Sequence, residues 1–121
     1  MDDRSTTLAD MKARVRSFVA DRQWEKYHRA KNLTMSLAVE AAELMEHFQW
    51  LDHDESDAML RQEQARLAVA HEMADVLSFL LSLANAAGID LAAAFEDKMA
   101  RNEEKYPADV CRGDYRRPER L

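Results

Sequence analysis

Two short stretches carry acids where a helix core should carry none. LAVEAAELME, residues 37–46, holds Glu40, Glu43 and Glu46, and HEMADVLSFLLSLA, residues 71–84, holds Glu72 and Asp75. Residues three apart on a helix share a face, so Glu40 with Glu43, and Glu72 with Asp75, form two carboxylate pairs. Burying an unpaired carboxylate costs several kcal/mol. No Lys or Arg lies within 33–51 or within 67–87 to offset that cost. If the two segments pack as antiparallel neighbours, four carboxylates surround one small volume. Alone, such a cluster repels itself and protonates at raised pKa; with one or two hard divalent cations it becomes a binding site. An all-oxygen set without a nearby Cys suits Mg²⁺, with Mn²⁺ as the alternative, better than Zn²⁺. Mg²⁺ sites are often completed by substrate phosphates, so the acids do not exclude a nucleotide. A di-iron carboxylate bundle would need Glu-x-x-His twice, and only Glu25 and His28 stand at that spacing.

Aromatic residues stand at related positions. Phe79 follows Asp75 by four and Glu72 by seven, placing it on the same face roughly 10 Å along the helix. Trp50 stands in the same relation to Glu43, and Trp24, in the connection before the second helix, is a third candidate. Aromatic faces stack on bases with little regard to identity, so the three suggest a nucleobase site. Antiparallel helices would send Trp50 and Phe79 toward opposite ends, so one pocket is expected to draw its aromatics from two chains.

The elements that must position these groups are helical. The chain has 121 residues, 47% of them apolar, with only two Gly and two Pro to make turns. Ala, Leu, Met, Glu, Arg and Lys dominate, and these are strong helix formers. The expected fold is all-α: a single domain over 1–121 with a four-helix bundle-like protomer and an irregular tail from 107 to 121. Thr7, with Asp10 three residues on, reads as a capping box opening helix one. Residues 22–32 break the period, and Asn32 is expected to cap helix two, whose apolar positions run to Leu51. Residues 52–57 read as a polar connection. Helix three is expected from Ala58 to Ala87, closed by Gly88, and helix four from the cap Asp90 to Tyr106, ahead of Pro107.

Met73 to Leu83 is apolar nearly all round, and such a helix must be covered on every side. Four helices do not readily supply that cover, so a homo-oligomer, dimer or tetramer, is expected. The net charge of −6 argues against a nucleic-acid duplex as partner. No membrane association is expected, because Glu72 and Asp75 interrupt the longest apolar run. The lone Cys111 suits a reducing compartment, and MDDRSTTLAD has no signal-peptide hydrophobic region, so a cytoplasmic location is expected.

The pattern EAAE at 40–43 followed by EMAD at 72–75 resembles the E-x-x-E…E-x-x-D motif of the MazG-like, all-α nucleoside triphosphate pyrophosphohydrolases. KNLTMSLAVEAAELMEHFQW, EMADVLSFLLSLANAAGIDL and KMARNEEKYP, followed by CRGD, are similar in the same order to the dCTP pyrophosphatase branch of that family. The resemblance implies Mg²⁺-dependent hydrolysis of (deoxy)nucleoside triphosphates, dCTP-like or modified, to the monophosphate and pyrophosphate. It implies Glu40, Glu43, Glu72 and Asp75 as metal ligands. Lys98 and Asn102 match the family's K-x-x-x-N and would contact phosphate, with Lys105 adding charge one turn on. Which carboxylate accepts the proton of the attacking water is left open, with Glu43 and Glu46 as the catalytic candidates. Where dCTP-preferring eukaryotic relatives carry a tyrosine and a helix-one histidine, this chain has Phe79 and Val15, which removes two polar handles on the base and leaves the phosphate chemistry intact. The alternative is a non-catalytic helical oligomerisation module with a structural divalent-metal site.

Overall fold

The computed structural model describes residues 1–116 and Pro118. The described residues contain helices and turns and no strand. The contacts divide the chain into two compact units, Met1–Gly88 and Ile89–Leu121.

The first unit holds α1 (Leu8–Asp21), α2 (Ala30–Glu46), α3 (His53–Met59) and α4 (Glu63–Ala87). Helix α1 opens on the expected capping box. Thr7 Oγ1 accepts from Asp10 N–H at 3.1 Å, and Asp10 Oδ2 accepts from Thr7 N–H at 2.9 Å, satisfying two donors that a helix start leaves free. Its other end is a Schellman turn made without glycine. Gln23 takes the left-handed conformation at φ 54°, its N–H donates to Ala20 O, and Trp24 N–H donates back to Val19 O. Trp24 then packs edge-on against Phe18, ring centroids 5.9 Å apart, which supplies the hydrophobic contact that accompanies this motif.

Helix α2 begins at Ala30, earlier than expected. Asn32 is therefore not its cap; it lies in the first turn, where its Nδ2 donates to Tyr27 O at 3.2 Å. The regular helix stops at Glu46 rather than reaching Leu51, tightening into turns closed by Phe48 N–H to Met45 O and Leu51 N–H to Phe48 O. Residues 52–57, expected as a plain connection, open α3 instead. Asp52 Oδ1 accepts from Glu55 N–H at 2.8 Å, and Glu55 Oε1 accepts from Asp52 N–H at 3.1 Å. The segment 58–87 is accordingly two helices, broken at 60–62, where Arg66 Nη1 donates to the freed Leu60 carbonyl at 3.3 Å. Gly88 closes α4 at φ 66°, as its place in the sequence required.

Helix α4 is the axis of this unit, packed by both α2 and α1. Asn32 and Val39 of α2 line one cavity with Phe79, while Leu44 meets Val69 and Met73, so the two helices run antiparallel. Leu33, 2% exposed, Val19, Val69, Leu81 and Ala84 form the buried core. At 25 residues, α4 is long and apolar enough to cross a membrane, although the two acids were expected to hold it below that mark. One such helix is weak evidence for a span, and this one packs against two others. Cover is nevertheless incomplete: Met73, Leu77 and Leu80 form a stripe at i, i+4 and i+7, with Met73 57% exposed.

The second unit holds α5 (Leu91–Lys105), capped by Asp90 Oδ1 accepting from Ala93 N–H, and α6 (Ala108–Cys111). The tail expected to be irregular thus contains one helical turn; its last residues, Arg117 and 119–121, lie outside the described ones.

Candidate functional site

Antiparallel packing of α2 on α4 brings three of the acids together. One carboxylate oxygen each from Glu40, Glu43 and Glu72 lie within 4.8 Å of one another, all three residues half-buried. Glu40 Oε2 and Glu72 Oε2 are shielded from solvent and accept no hydrogen bond among the described residues. Such oxygens are costly to leave without a partner. Asp75, on the same face of α4, is exposed and lies outside the trio, yet its charge acts on Glu40. Glu46 is exposed one turn beyond Glu43.

The electrostatics follow from this crowding. Glu40 is pushed from 4.5 up to about 7, first by burial, then by a proton-sharing contact with Glu43 and by repulsion from the Glu43 and Asp75 charges. No cationic side chain forms an ion pair with the trio among the described residues. The donor set fits a divalent cation: three converging hard oxygens, two of them orphaned, and negative charge that nothing else neutralises.

Phe79 lies where its spacing placed it. It lines a cavity of about 330 Å³ with Glu40, Val39, Ser36 and Asn32, so an aromatic wall and a site carboxylate face one space. Trp50 is 86% exposed, in the turn after α2, and Trp24 packs on Phe18 at the end of α1. Neither tryptophan is brought to the Phe79 cavity among its described lining. Lys98, Asn102 and Lys105 lie on α5 of the second unit; Asn102 O accepts from Tyr106 N–H, and Lys105 Nζ sits 5.5 Å from the Tyr106 ring centre.

A second cavity, about 210 Å³, opens between α1, the 22–28 connection and the far half of α4, where Val15, Arg16, His28, Ser82 and Asn85 line it. Of its polar lining, Glu25 and His28 stood out in the sequence only as the Glu-x-x-His pair weighed against a di-iron site, and Arg16, Ser82 and Asn85 did not stand out. The available signal was Ser82, a hydroxyl in the most apolar stretch of α4, seven residues after Asp75.

A family model described as the MazG-like family matches residues 35–113, which span both acid pairs and α5. The chain is 37% identical over 107 residues to dCTP pyrophosphatase 1 of Rattus norvegicus, covering 88% of this chain and 63% of that protein. It is 36% identical over 111 residues to dCTP pyrophosphatase 1 of Homo sapiens, covering 92% and 65%. The chain therefore spans somewhat less than two thirds of the length of these relatives. Among solved structures, a pyrophosphatase from Archaeoglobus fulgidus matches with a TM-score of 0.78 at 39% identity, covering 88% of this chain and 98% of that one.

Proposed function

Because this chain belongs to the MazG-like family, we propose that it is a nucleoside triphosphate pyrophosphohydrolase. It hydrolyses (deoxy)nucleoside triphosphates, dCTP-like or modified ones, to the monophosphate and pyrophosphate. The observation that carries this reading is the convergence of Glu40, Glu43 and Glu72 within 4.8 Å, with two shielded oxygens that accept nothing. The relatives named dCTP pyrophosphatase support the substrate class.

In this reading Glu40, Glu43 and Glu72 hold Mg²⁺, or Mn²⁺, with Asp75 as the fourth ligand at the exposed rim. A divalent cation bound there would neutralise the triphosphate and polarise the attacked phosphorus. The protein's own work is positioning, since phosphoryl chemistry depends mainly on alignment and charge stabilisation. Water adds to the α-phosphorus, its proton passes to Glu43 or Glu46, and the bond to the β-phosphate oxygen breaks to release pyrophosphate. Lys98, Asn102 and Lys105 bind the phosphates. Phe79 walls the space beside Glu40 and stacks on the base, with Trp50 and Trp24 as further aromatic contacts. The exposed Met73–Leu77–Leu80 stripe supports a homo-oligomer, dimer or tetramer, in which Trp50 of one chain reaches the pocket of another. The reading places the protein in the cytoplasm, free of membrane and of nucleic-acid duplexes.

The test is a panel of dNTPs incubated with Mg²⁺, with pyrophosphate and orthophosphate assayed separately. Pyrophosphate with an equal amount of monophosphate is expected. Orthophosphate alone removes α–β cleavage. Silence across the panel, with oligomer and metal uptake intact, leaves the structural module.

A further inference from the structure

Little apolar burial holds α1 against α4. Of the described residues of α1, Val19 alone is buried. Met11 and Val15, half-buried, share a small space with Ala74, Ser78 and Leu81 of α4. Apolar contact is non-directional, so these residues press α1 onto α4 without fixing how far it slides or turns. Direction comes from Asn85. Its Nδ2 donates to Lys12 O at 3.1 Å, and its Oδ1 accepts from Arg16 Nη2 at 2.9 Å. Lys12 and Arg16 are four residues apart in α1, so one amide on α4 spans a whole turn of its neighbour. A side-chain amide presents donor and acceptor in one plane. Here both ends engage the same helix, which fixes register and rotation together. Alanine at position 85 would suit a helix better, and the two bonds offset that cost.

The clip lies away from the acids, yet the helix it holds runs beside them. Ala74, which shares a space with Met11 and Val15, is the chain neighbour of Asp75. Asn85 stands ten residues beyond Asp75, roughly 15 Å along α4. Over that length α1 supplies one wall of the space in which Val15 and Val19 face Ser82. A substrate held at the acids and extending toward the C-terminal end of α4 passes this wall. The room left for it depends on where the clip sets α1. In an enzyme, misplacing a positioning element by about 1 Å can cost on the order of 10²-fold.

We infer that Asn85 is a positioning residue: by clipping α1 to α4 through Lys12 O and Arg16, it sets the α1 wall for the bound substrate and so governs substrate affinity. The inference rests on the pyrophosphohydrolase reading above and deepens it. Asn85 acts through α1, not on the phosphates. Arg16 belongs to the same clip, its guanidinium committed to Asn85 rather than to a ligand. The acids converge where α2 meets α4, a contact the clip does not touch. Loosening the clip therefore weakens binding and spares the chemical step, which is the pattern of a raised KM with kcat retained.

The test compares wild type, Asn85→Leu, Arg16→Ala and the double variant, with the preferred dNTP and Mg²⁺. Asn85→Leu should raise KM about tenfold, the worth of one hydrogen bond, with kcat within about twofold of wild type. Arg16 is exposed, so Arg16→Ala keeps the test open should Asn85→Leu fail to fold. It should raise KM by itself and add nothing in the Asn85→Leu background, because both remove one clip. Backbone amide exchange should quicken across α1 in either variant and stay unchanged in α2. A KM within about twofold of wild type while α1 exchange quickens makes the clip merely structural and overturns the inference. So does a fall in kcat at constant KM, or an Arg16→Ala effect that persists in full beside Asn85→Leu, which would make Arg16 a direct ligand. Absence of pyrophosphate from every dNTP with wild type sinks the enzymatic reading instead. Dissociation constants of the dNTP for the same four proteins, by calorimetry, then decide the clip, and a wild type that binds none overturns both.

Discussion

Metal-free protein should lose stability as pH rises from 4.5 to about 7, because of Glu40. Its pKa is raised from 4.5 unfolded to about 7 folded, chiefly by burial and then by the neighbouring Glu43 and Asp75. Below pH 4.5 both states hold the proton and no difference arises. Between pH 4.5 and about 7 the unfolded chain releases it while the folded chain keeps it, so stability falls with each pH unit. Glu40 is only half-buried, so solvent screening discounts the ideal ~1.4 kcal/mol per unit, and the accumulated loss is on the order of 1 kcal/mol above pH 7. Asp2, Asp10 and Asp114 do not mask it. Their pKa values are lowered by hydrogen bonds to Ser5, to Thr7 and to Arg116 respectively, so their stabilisation is lost only as pH falls below the ordinary carboxylate range. The assay is urea unfolding by circular dichroism in EDTA, at fixed protein concentration, from pH 5 to 8. Glu40→Gln, a neutral isostere, should flatten the profile and be the more stable protein at pH 8. Mg²⁺ at a hundred times its dissociation constant should return about 2.7 kcal/mol to wild type at pH 8. A wild-type stability that is flat or rising over this range, or an equal slope in Glu40→Gln, would refute the assignment of the crowded acid.

Other consequences are simpler to measure. Leu33→Ala removes the most enclosed side chain of the α2–α4 interface and should cost about 2–5 kcal/mol in urea unfolding. Gln23→Gly relieves a left-handed residue at φ 54° in the turn after α1, so it should raise stability by on the order of 0.5–1 kcal/mol despite the flexibility glycine adds to the unfolded chain. Trp50→Ala deletes a ring that is 86% exposed, so folding stability should change by less than about 0.5 kcal/mol. KM for the preferred dNTP should nevertheless rise if the ring stacks on a base, and an unchanged KM would remove Trp50 from the site.

Much of the fold was legible because caps and periods are local. Thr7 and Asp10 named the start of α1, and Gly88 and Asp90 named the boundary between α4 and α5. Helix α3 was equally legible in principle: Asp52 and Glu55 repeat the same reciprocal cap, hidden in a run of acids that reads as solvated loop. The break at 60–62 and the early end of α2 had no comparable signal, since neither place offers Gly or Pro. Trp24, singled out in the sequence for stacking on a base, also fastens the end of α1 against Phe18, a structural part that its spacing did not announce.

Three-residue spacing on α2 and α4 is enough to give each helix a pair of acids on one face, because angle about a helix's own axis is fixed by residue count. It could not say which of them meet. Rotation and axial offset between helices are set by how side chains interlock across the interface. Packing alone therefore drew Glu40, Glu43 and Glu72 within 4.8 Å, and left Asp75 and Glu46 exposed. The same dependence hid the Ser82–His28 cavity, whose walls are 54 residues apart in the chain and become neighbours only once α1 and its connection close over α4.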